Sequence, residues 1–304
     1  MFPDLLRLGG GTVHTYGVLI ALGFLVGIVT ATRQARREGP YAGAVLDLGF
    51  WVLVSGLAGA RVLFVLTDLR HYVGECQGAG TPRSVGRAAW DCLSALKLWE
   101  GGLVWYGGLA AALAVGAWFV HRRRMGFLRT ADLAMPSLAL GHVFGRLGCF
   151  AAGCCFGKPA SGAVGVAFGH RSLAFHDLWE TGALPATATA TARLHPTQLY
   201  EALGELLIAL LLLLWRPRKR YDGQLLIVYL IAYALLRFVI EVFRGDASRR
   251  FVLDLPTHGL NALLGLPPDA LSFLSVSQLL SVLVALAAAL LLLVLRRRRG
   301  GVAA

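Results

Sequence analysis

The sequence predicts an all-α polytopic membrane protein: a bundle of seven transmembrane helices with a small head formed by the loops on one side. Two observations support this fold class. The chain of 304 residues is 57% hydrophobic and only 15% charged, which is more apolar surface than the core of a soluble domain needs. Its apolar residues also form runs of about 20, the length at which an α-helix crosses the hydrocarbon core of a bilayer.

Seven apolar runs define the predicted spans. They cover 16–32, 44–66, 103–120, 131–154, 197–215, 223–243 and 275–295. The first is expected to stay in place as an uncleaved helix, because the residues before it contain one basic residue and no small-residue cleavage site. The pattern shows no internal repeat and no second soluble domain. We therefore expect a single integral membrane domain over 1–304, with longer loops at 67–102, 155–196 and 244–274.

The basic residues predict the topology. A formal net charge of +12 could indicate a nucleic-acid surface, but the positions of the charges indicate otherwise. Fifteen of the 29 Lys and Arg residues lie in four short segments after spans 1, 3, 5 and 7, at 33–37, 122–129, 216–220 and 296–299. Loops rich in Lys and Arg stay in the cytoplasm. We therefore expect an external N-terminus, a cytoplasmic C-terminus and contact with the anionic lipid of a membrane, with no nucleic-acid partner.

Three further arginines, Arg61, Arg146 and Arg237, lie inside predicted spans 2, 4 and 6. A charged side chain near the centre of a span costs about 2.5–3.5 kcal/mol and usually faces a cavity or a partner. Because all three fall in the outer half of an outward-running span, we expect them to meet at similar depth around one polar cavity. The guanidinium fork binds phosphate oxygens in pairs, so this cavity is predicted to hold a phospholipid head group.

The alternative is that each arginine pairs with a carboxylate of the chain. The candidates are Asp47, Asp132, Glu201 and Glu241. Arg237, Glu241 and Arg244 share one helix face at i, i+4 and i+7, and Glu241 is expected to orient Arg237. His142 precedes Arg146 by four residues and is expected to be a buried residue that supports it.

Glycines flank these residues at two places. Gly145 and Gly148 lie on either side of Arg146, and Gly107 and Gly108 follow the aromatic pair of span 3. Small residues in membrane helices allow close helix packing, and they equally allow a ligand to approach the backbone. Both interpretations stay open for these four glycines.

Seven sequence blocks, spread over nearly the whole chain, carry a resemblance to a known family. They are "TYG" at 15–17, "GARVLFVL" at 59–66, "GGLVWYGGL" at 101–109, "GRLGCF" with "GCCFGKP" at 145–159, "HPTQLYE" at 195–201, "LRFVIEVFRGD" at 236–246 and "SVSQLLS" at 275–281. In this order the blocks resemble the prolipoprotein diacylglyceryl transferases, enzymes of the bacterial inner membrane. The resemblance implies seven membrane helices with a periplasmic N-terminus, a cytoplasmic C-terminus and a small periplasmic head, in agreement with the topology that the basic residues indicate.

The family's reaction moves the diacylglyceryl group of phosphatidylglycerol onto the lipobox cysteine sulfur of a preprolipoprotein. A thioether forms and glycerol 1-phosphate leaves. The phosphodiester of the lipid is already the activated group, so the resemblance implies no nucleotide, no metal and no other cofactor. The expected partners are phosphatidylglycerol, the preprolipoprotein signal peptide with its lipobox cysteine, and the bacterial membrane.

The resemblance also implies roles for single residues. Arg146 and Arg237 match phosphate-binding arginines on which activity depends, and with Tyr106 they form the expected catalytic group. Arg61 matches a further arginine of the family pattern. The other positions expected to bind substrate are Tyr16, Glu241, Arg244, Gly107, Gly108, Gly145, Gly148, Cys149 and His195.

Tyr106 marks a departure from the family pattern. It stands before Gly107, where well-studied members have a histidine that is proposed as the base. A phenol is a poor base at neutral pH unless a nearby cation activates it, so Tyr106 is predicted to act as a hydrogen-bond donor. The base is then His195, Glu241 or an oxygen of the phosphate.

Five cysteines raise a separate question. Cys76 and Cys92 share a loop and could form a disulfide in an oxidising compartment. Cys149, Cys154 and Cys155 lie at the outer end of span 4, and Cys149 and Cys154 stand where many family members have polar residues. A disulfide, small apolar packing and a metal site are the alternatives for these cysteines. No spacing of cysteine with histidine typical of zinc supports the last of these, so no metal is predicted.

Two other functions fit part of the pattern. A phospholipid or anion transporter would also hold intramembrane arginines, but it would contain paired repeats with discontinuous helices, and the sequence shows no such symmetry. A phospholipid-binding relative without transferase activity would keep the arginines and lose the base. For the transferase itself, the lipid and the signal peptide both arrive from the bilayer, so a lateral opening is expected near Arg146 and Arg237.

Overall fold

The computed structural model describes residues 4–8, 11–38, 42–70, 72–73, 96, 102–160, 164–246, 250–267 and 271–300. This part of the chain is mostly helical. Its α-helices are α1 (Thr15–Glu38), α2 (Ala42–Thr67), α3 (Trp105–Arg122), α4 (Phe127–Ala152), α5 (Leu173–Glu180), α6 (Thr197–Trp215), α7 (Gln224–Phe243), α8 (His258–Leu263) and α9 (Val276–Gly300). Its strands are β1 (Asp4–Leu8), β2 (Gly11–His14), β3 (Phe251–Pro256) and β4 (Leu271–Ser275). The strands form two antiparallel pairs, β1 with β2 and β3 with β4.

Six helices of the described part are long and apolar enough to cross a membrane. They occupy Thr15–Arg37, Gly43–Thr67, Phe127–Ala152, Thr197–Arg218, Gln224–Phe243 and Val276–Arg297. Each overlaps one predicted span. The chain is therefore a multi-pass membrane protein with a mostly helical fold, as the sequence predicts.

The third predicted span, 103–120, forms a helix that is less apolar than these six. α3 has 18 residues, begins with Trp105 and Tyr106 and ends with His121 and Arg122. These ends, together with the glycines of the helix, lower its mean hydropathy. α3 is therefore not among the six helices, and the count of seven spans stays a prediction.

Along the long helices, polar side chains are buried and large apolar ones are exposed. Glu205 of α6 and Gln278 of α9 are fully buried, whereas Leu214 of α6 is 70% exposed. An exposed apolar surface of this kind is a liability in water but is matched by the acyl chains of a bilayer. The inward sides of these helices are therefore where a polar site can form.

The described chain divides into two compact units whose boundaries fall within α1 and α4. One of them, the α2–α3 unit, is Thr32–Thr130. Its two helices run antiparallel and meet through glycines: a Cβ atom at Gly107 would collide with the backbone of Gly59, and one at Gly108 would lie 3.0 Å from the carbonyl oxygen of Gly56. Small residues thus let the two backbones approach closely, as is common in membrane bundles. This is the packing role considered for Gly107 and Gly108.

The other unit comprises Met1–Ala31 and Ala131–Ala304. Its apolar core lies between α4, α6 and α7. The buried core residues are Ala139, Ile208, Ala209, Leu212, Leu225 and Tyr229. α1 lies against α4, where a Cβ atom at Gly23 would come within 2.8 Å of Phe144 Cβ, and α9 packs on α7. Three long helices, α1, α6 and α9, therefore pack against α4 and α7, which carry two of the intramembrane arginines.

The N-terminus of α7 is held by a carboxylate from another helix. Asp132 of α4 accepts hydrogen bonds from the backbone N–H groups of Gly223 at 2.8 Å and Leu226 at 2.9 Å, and Lys219 Nζ lies 3.2 Å from the same carboxylate. Burial alone would lower the pKa of Lys219, but the carboxylates of Asp222 and Asp132 outweigh it and raise that pKa. A negative charge at a helix N-terminus is also favoured by the helix dipole. Asp132 thus fixes the start of α7 against α4.

The segment between α4 and α6, called the head below, has a small apolar core of its own. Its buried core residues are Phe156, Phe168, Ala174 and Leu194. Backbone hydrogen bonds tie the beginning of this segment to both neighbouring helices: Gly157 N donates to His195 O at 2.9 Å, and Lys158 N donates to Phe243 O at 2.7 Å. The head therefore holds the ends of α4, α6 and α7 together.

Candidate functional site

Arg146 and Arg237 converge on one buried carboxylate, that of Glu201. Arg146 Nη2 lies 2.8 Å from Glu201 Oε1, and Arg237 Nη1 lies 3.9 Å from Glu201 Oε2. The three residues belong to α4, α7 and α6, and Glu201 is only 2% exposed. Two of the three arginines that the sequence predicts to share a cavity therefore lie together.

Arg237 is oriented by two further groups. Its Nη2 lies 2.8 Å from Oε2 of Glu241, one turn further along α7, which confirms the predicted pairing. The same nitrogen donates a hydrogen bond to Ser277 Oγ of α9 at 3.2 Å. The guanidinium is thus held from α6, α7 and α9, and such support from several rigid elements is what a precise binding site requires.

A second acidic group lies one helical turn from Glu201. Glu205 of α6 is fully buried, and its Oε1 lies 2.6 Å from Nδ1 of His142. Nε2 of the same histidine lies 3.9 Å from Glu201 Oε1, and its ring lies 5.4 Å from that of Tyr233. Isolated charges are costly inside a protein, so these groups stabilise one another only as a network. His142 thus lies nearer to Glu205 than to Glu201, and its support of Arg146 stays a prediction.

Each arginine keeps one buried nitrogen that makes no hydrogen bond in this network, because the 3.9 Å contact of Arg237 Nη1 with Glu201 is too long for one. Within the described part of the chain, Arg146 Nε and Arg237 Nη1 have no hydrogen-bond partner. A buried donor without an acceptor is costly, and more so when it is charged. Phosphoryl oxygens match the guanidinium fork in both charge and spacing. The two arginines can therefore bind a phosphate ester while Glu201 and Glu241 hold them in place.

Tyr16 lies beside this pair. At the start of α1 its ring packs on Gly148 so closely that a Cβ atom there would lie 2.9 Å from Tyr16 Cδ2. Gly145 has more room, since the atom nearest to an added Cβ is Ile20 Cδ1 at 3.8 Å. Tyr16 also interacts electrostatically with Arg146. Gly148 therefore brings the phenol of Tyr16 close to the arginine pair.

Arg244 follows the end of α7 and is paired with Asp246. Its Nε and Nη2 donate to the two carboxylate oxygens of Asp246 at 2.8 and 2.6 Å. Burial alone would lower the pKa of Arg244, but the negative charge of Asp246 outweighs it and raises that pKa. Arg244 is thus a fixed positive charge at the junction of α7 with the head.

His195 lies just before α6 and is nearly buried. Its Nδ1 is 3.1 Å from the hydroxyl of Tyr200, while Nε2 is buried and has no hydrogen-bond partner among the described residues. Burial, with a smaller contribution from the charge of Lys158, lowers the pKa of His195 below its ordinary value. The imidazole is therefore neutral at neutral pH and can accept a proton.

The thiols of Cys149, Cys154 and Cys155 lie together at the C-terminal end of α4. The three sulfur atoms are all within 4.8 Å of one another, and these cysteines are not joined in a disulfide. The sequence predicts no metal, yet this cluster has ligand types and spacing that could hold a metal ion. Cys76 and Cys92, the other possible disulfide pair, lie outside the described residues.

Arg61 and Tyr106 belong to the α2–α3 unit. Arg61 is buried, and its Nη1 donates to the carbonyl oxygen of Gly102 at 3.1 Å. Its guanidinium also lies over the rings of Phe64 and Tyr72, at 5.4 and 5.8 Å from their centroids. Tyr106 is 69% exposed at the start of α3. The meeting of Arg61 with the other two arginines and a catalytic role for Tyr106 stay predictions.

Comparison with known protein families gives a match over nearly the whole chain. Residues 3–294 match the family of prolipoprotein diacylglyceryl transferases. The chain belongs to this family. It is therefore a transferase. Both residues of the arginine pair lie on its candidate membrane helices.

Three relatives illustrate the similarity, and each carries the name phosphatidylglycerol–prolipoprotein diacylglyceryl transferase. The protein of Clostridium tetani is 27% identical over 246 residues, which cover 81% of this chain and 86% of the relative. That of Finegoldia magna is 30% identical over 240 residues, covering 78% and 82%. That of Geobacillus kaustophilus is 33% identical over 244 residues, covering 80% of both chains.

In this diacylglyceryl transferase, the four carboxylates considered as partners of the arginines divide into two groups. Glu201 and Glu241 contact the arginine pair of the site. Asp132 instead caps α7, and Asp47 lies 3.5 Å from Arg123 near the surface. Carboxylate pairing and phosphate binding are compatible here, because a guanidinium has five N–H donors and one carboxylate uses at most two of them.

Glu205 and Ser277 belong to the network around the arginine pair, and the sequence analysis missed both. Glu205 follows Glu201 by one helical turn in the otherwise apolar run 197–215, and a second carboxylate on the same helix face is a signal that could have revealed it. Ser277 gives no such signal, since small hydroxyl residues are common in membrane helices.

Proposed function

We propose that this chain transfers the diacylglyceryl group of phosphatidylglycerol to the lipobox cysteine thiol of preprolipoproteins. The products are a thioether-linked lipid and glycerol 1-phosphate, and the reaction is the first step of bacterial lipoprotein maturation. The observation that carries the proposal is the arginine pair: Arg146 and Arg237 converge on Glu201 inside the membrane and retain buried donors. Relatives that match about four-fifths of the chain bear the name of this activity.

The chemistry requires a place where negative charge can develop. The thiolate sulfur attacks C3 of the glyceryl group, the C–S bond forms, and the C–O bond to the phosphate breaks with its electron pair remaining on the phosphate oxygen. The leaving phosphate monoester gains charge as the bond breaks. Arg146 and Arg237 are fixed donors in a low-dielectric site, and such donors stabilise developing charge far better than water does.

Glu201 and Glu241 serve this chemistry indirectly. Two guanidinium groups side by side repel each other, and the buried carboxylates stabilise the pair and fix the plane of each fork. Correct orientation before the reaction lowers the barrier because no rearrangement is needed in the transition state. Both carboxylates are therefore positioning residues in the proposed mechanism.

The lipobox thiol must lose its proton before or during attack. Of the groups considered for the base, His195 is supported by a buried Nε2 that has no hydrogen-bond partner in the described part of the chain, and its lowered pKa keeps the imidazole unprotonated at neutral pH. Tyr106 would then act as a hydrogen-bond donor to the substrate. Glu241 is engaged by Arg237 at 2.8 Å, which favours its anionic form and makes it a weaker base.

The proposed enzyme forms a single integral domain with seven spans in the bacterial inner membrane. The clusters of basic residues support a cytoplasmic C-terminus and a periplasmic N-terminus, so the loops 67–102, 155–196 and 244–274 would form a periplasmic head. Phosphatidylglycerol and the signal peptide would both enter sideways from the bilayer. The site would therefore open between helices near Arg146 and Arg237.

The test is release of glycerol phosphate from phosphatidylglycerol by the purified protein in detergent, with and without a lipobox peptide. We expect peptide-dependent release, and Arg146→Ala and Arg237→Ala should each abolish it. Arg123→Ala is the matched control, because Arg123 is an exposed arginine that pairs only loosely with Asp47. Binding of phosphatidylglycerol without any peptide-dependent release would instead favour a phospholipid-binding relative that has lost the activity.

A further inference from the structure

The three cysteines at the end of α4 are brought together by a tight reversal of the chain. Gly153 and Cys155 both have positive φ angles, +79° and +58°. Gly153 N and Cys154 N donate to the carbonyl oxygen of Cys149 at 2.8 and 3.1 Å. The left-handed conformation is common for glycine but strained for cysteine. The reversal places the thiols of Cys154 and Cys155 back over that of Cys149.

Buried side chains of α6 hold this reversal in place. Thr197 Oγ1 donates to the carbonyl oxygen of Cys155 at 2.7 Å, and Gln198 Nε2 donates to that of Cys154 at 2.6 Å. Both donors are only 1% exposed. Ligands that are fixed by neighbouring hydrogen bonds need little rearrangement on binding, which is typical of metal sites. The strained backbone at Cys155 is therefore supported from a second helix.

The spacing of the sulfur atoms fits a single metal ion. All three lie within 4.8 Å of one another. A metal bonded in one plane to three sulfurs at about 2.3 Å holds them roughly 4 Å apart. Among the residues the structure describes, no histidine or carboxylate joins this group. A site of three sulfurs and nothing else is unlike structural zinc sites, which have four protein ligands, and it suits a softer ion of lower coordination number such as Cu(I).

The surrounding charges compensate a thiolate cluster. The guanidinium groups of Arg244 and Arg146 both interact electrostatically with the thiol of Cys155. Three thiolates around a monovalent cation carry a net charge of minus two, which is costly in a buried site unless cations lie nearby. The two arginines offset part of this charge without entering the ligand set, since each is also paired with a carboxylate, Arg146 with Glu201 and Arg244 with Asp246.

We propose that Cys149, Cys154 and Cys155 bind one soft monovalent cation, Cu(I), in a three-sulfur site beside Arg146. The family resemblance implies no metal in the transfer reaction, so metal binding at this site is proposed as a property in addition to that reaction. The proposed site also explains why Cys149 and Cys154 stand where polar residues are common in this transferase family. The proposal is tested by metal binding, so its outcome does not depend on whether the transferase activity is found.

The experiment uses Cys76→Ser/Cys92→Ser protein, in which only the three clustered cysteines remain. The purified variant is titrated with Cu(I) under anaerobic conditions in competition with a chromophoric Cu(I) chelator. We expect one equivalent of Cu(I) to be retained, as in the wild type. Adding Cys149→Ser, Cys154→Ser or Cys155→Ser should each weaken retention by at least about 100-fold, more than the loss of a supporting residue usually does.

X-ray absorption at the copper edge tests the site without any substitution in the cluster, so it does not depend on the folding of such variants. The Cu(I)-loaded Cys76→Ser/Cys92→Ser protein should show three sulfur neighbours at about 2.3 Å, the usual metal–thiolate distance. Failure to retain Cu(I) against the chelator overturns the proposal. So does a retained ion with fewer than three sulfur neighbours, or one whose affinity is unchanged by the substitutions in the cluster.

Discussion

The carboxylate of Glu201 lies 2.8 Å from the guanidinium of Arg146 and presents its other oxygen to Arg237 at 3.9 Å. One acidic side chain of α6 thus links arginines from two other helices. Without it, two cations would face each other in a region of low dielectric, where their repulsion is strong. Glu201 therefore both offsets the repulsion between the two arginines and orients them.

Glu201→Gln should remove this link while keeping the volume of the side chain. Breaking a buried ion pair leaves a charge without compensation and costs about 3–5 kcal/mol of stability. Misplacement of a fork by about 1 Å can lower a rate about 100-fold, so glycerol phosphate release should fall by at least that factor. The measurement is peptide-dependent release together with the thermal unfolding midpoint.

The matched control is Glu180→Gln, at the exposed C-terminal end of α5. It should leave both the rate and the unfolding midpoint unchanged. A Glu201→Gln protein that transfers lipid at the normal rate would show that the link between the arginines has no role in the reaction.

Arg146→Lys and Arg237→Lys separate the charge of each arginine from its shape. Lysine keeps the positive charge but is a point donor without the planar fork. Loss of one charge-assisted hydrogen bond is worth about 1.5–3 kcal/mol, so each variant should retain a residual rate roughly 10- to 100-fold below that of the wild type. The corresponding alanine variants should have none. Steady-state rates of glycerol phosphate release over a range of phosphatidylglycerol concentrations test this prediction. Arg123→Lys is the control. Equal activity of the lysine and alanine variants would contradict a role for the shape of the guanidinium.

The positions of the long helices follow from the sequence because runs of about 20 apolar residues mark them. Each of the six membrane-spanning helices overlaps a predicted span. α3 differs from them, since its glycines and its polar and aromatic ends lower its mean hydropathy although it still forms a helix. Periodicity predicts that a helix exists; whether it crosses a bilayer depends on its mean hydropathy as well.

The site was only partly predictable for a different reason. Arg237 and Glu241 lie one turn apart on one helix, so local geometry predicts their contact. The contact of Arg146 with Glu201 joins two helices separated by the head, and no local rule gives that distance. The cysteine cluster depends on a left-handed residue, Cys155, which a sequence pattern does not reveal.

The lowered pKa of His195 gives a prediction for pH dependence. Its pKa lies below the ordinary value of about 6.5 because burial and Lys158 disfavour the charged form. The unfolded chain therefore binds a proton before the folded protein does, so stability should fall as the pH decreases below about 6.5. Thermal unfolding measured from pH 7.5 to 5 should show this loss.

His195→Gln removes the titrating group and should flatten that part of the profile. His170→Gln, an exposed histidine in the same head, should leave the wild-type profile in place. If His195 is also the base, His195→Gln should abolish release at every pH. A wild-type midpoint that does not change between pH 6.5 and 5 would contradict the prediction for stability.

Gly148→Ala and Gly145→Ala form a matched pair in one turn of α4. An added methyl group at Gly148 would lie 2.9 Å from Tyr16 Cδ2, whereas at Gly145 the nearest atom is 3.8 Å away. The first must displace the ring of Tyr16 or push α1 away from α4, which typically costs about 1–3 kcal/mol. The second should be tolerated. Because Tyr16 interacts with Arg146, Gly148→Ala should also lower the rate of glycerol phosphate release. Equal unfolding midpoints and equal release rates of the two variants would mean that Tyr16 is not held by its contact with Gly148.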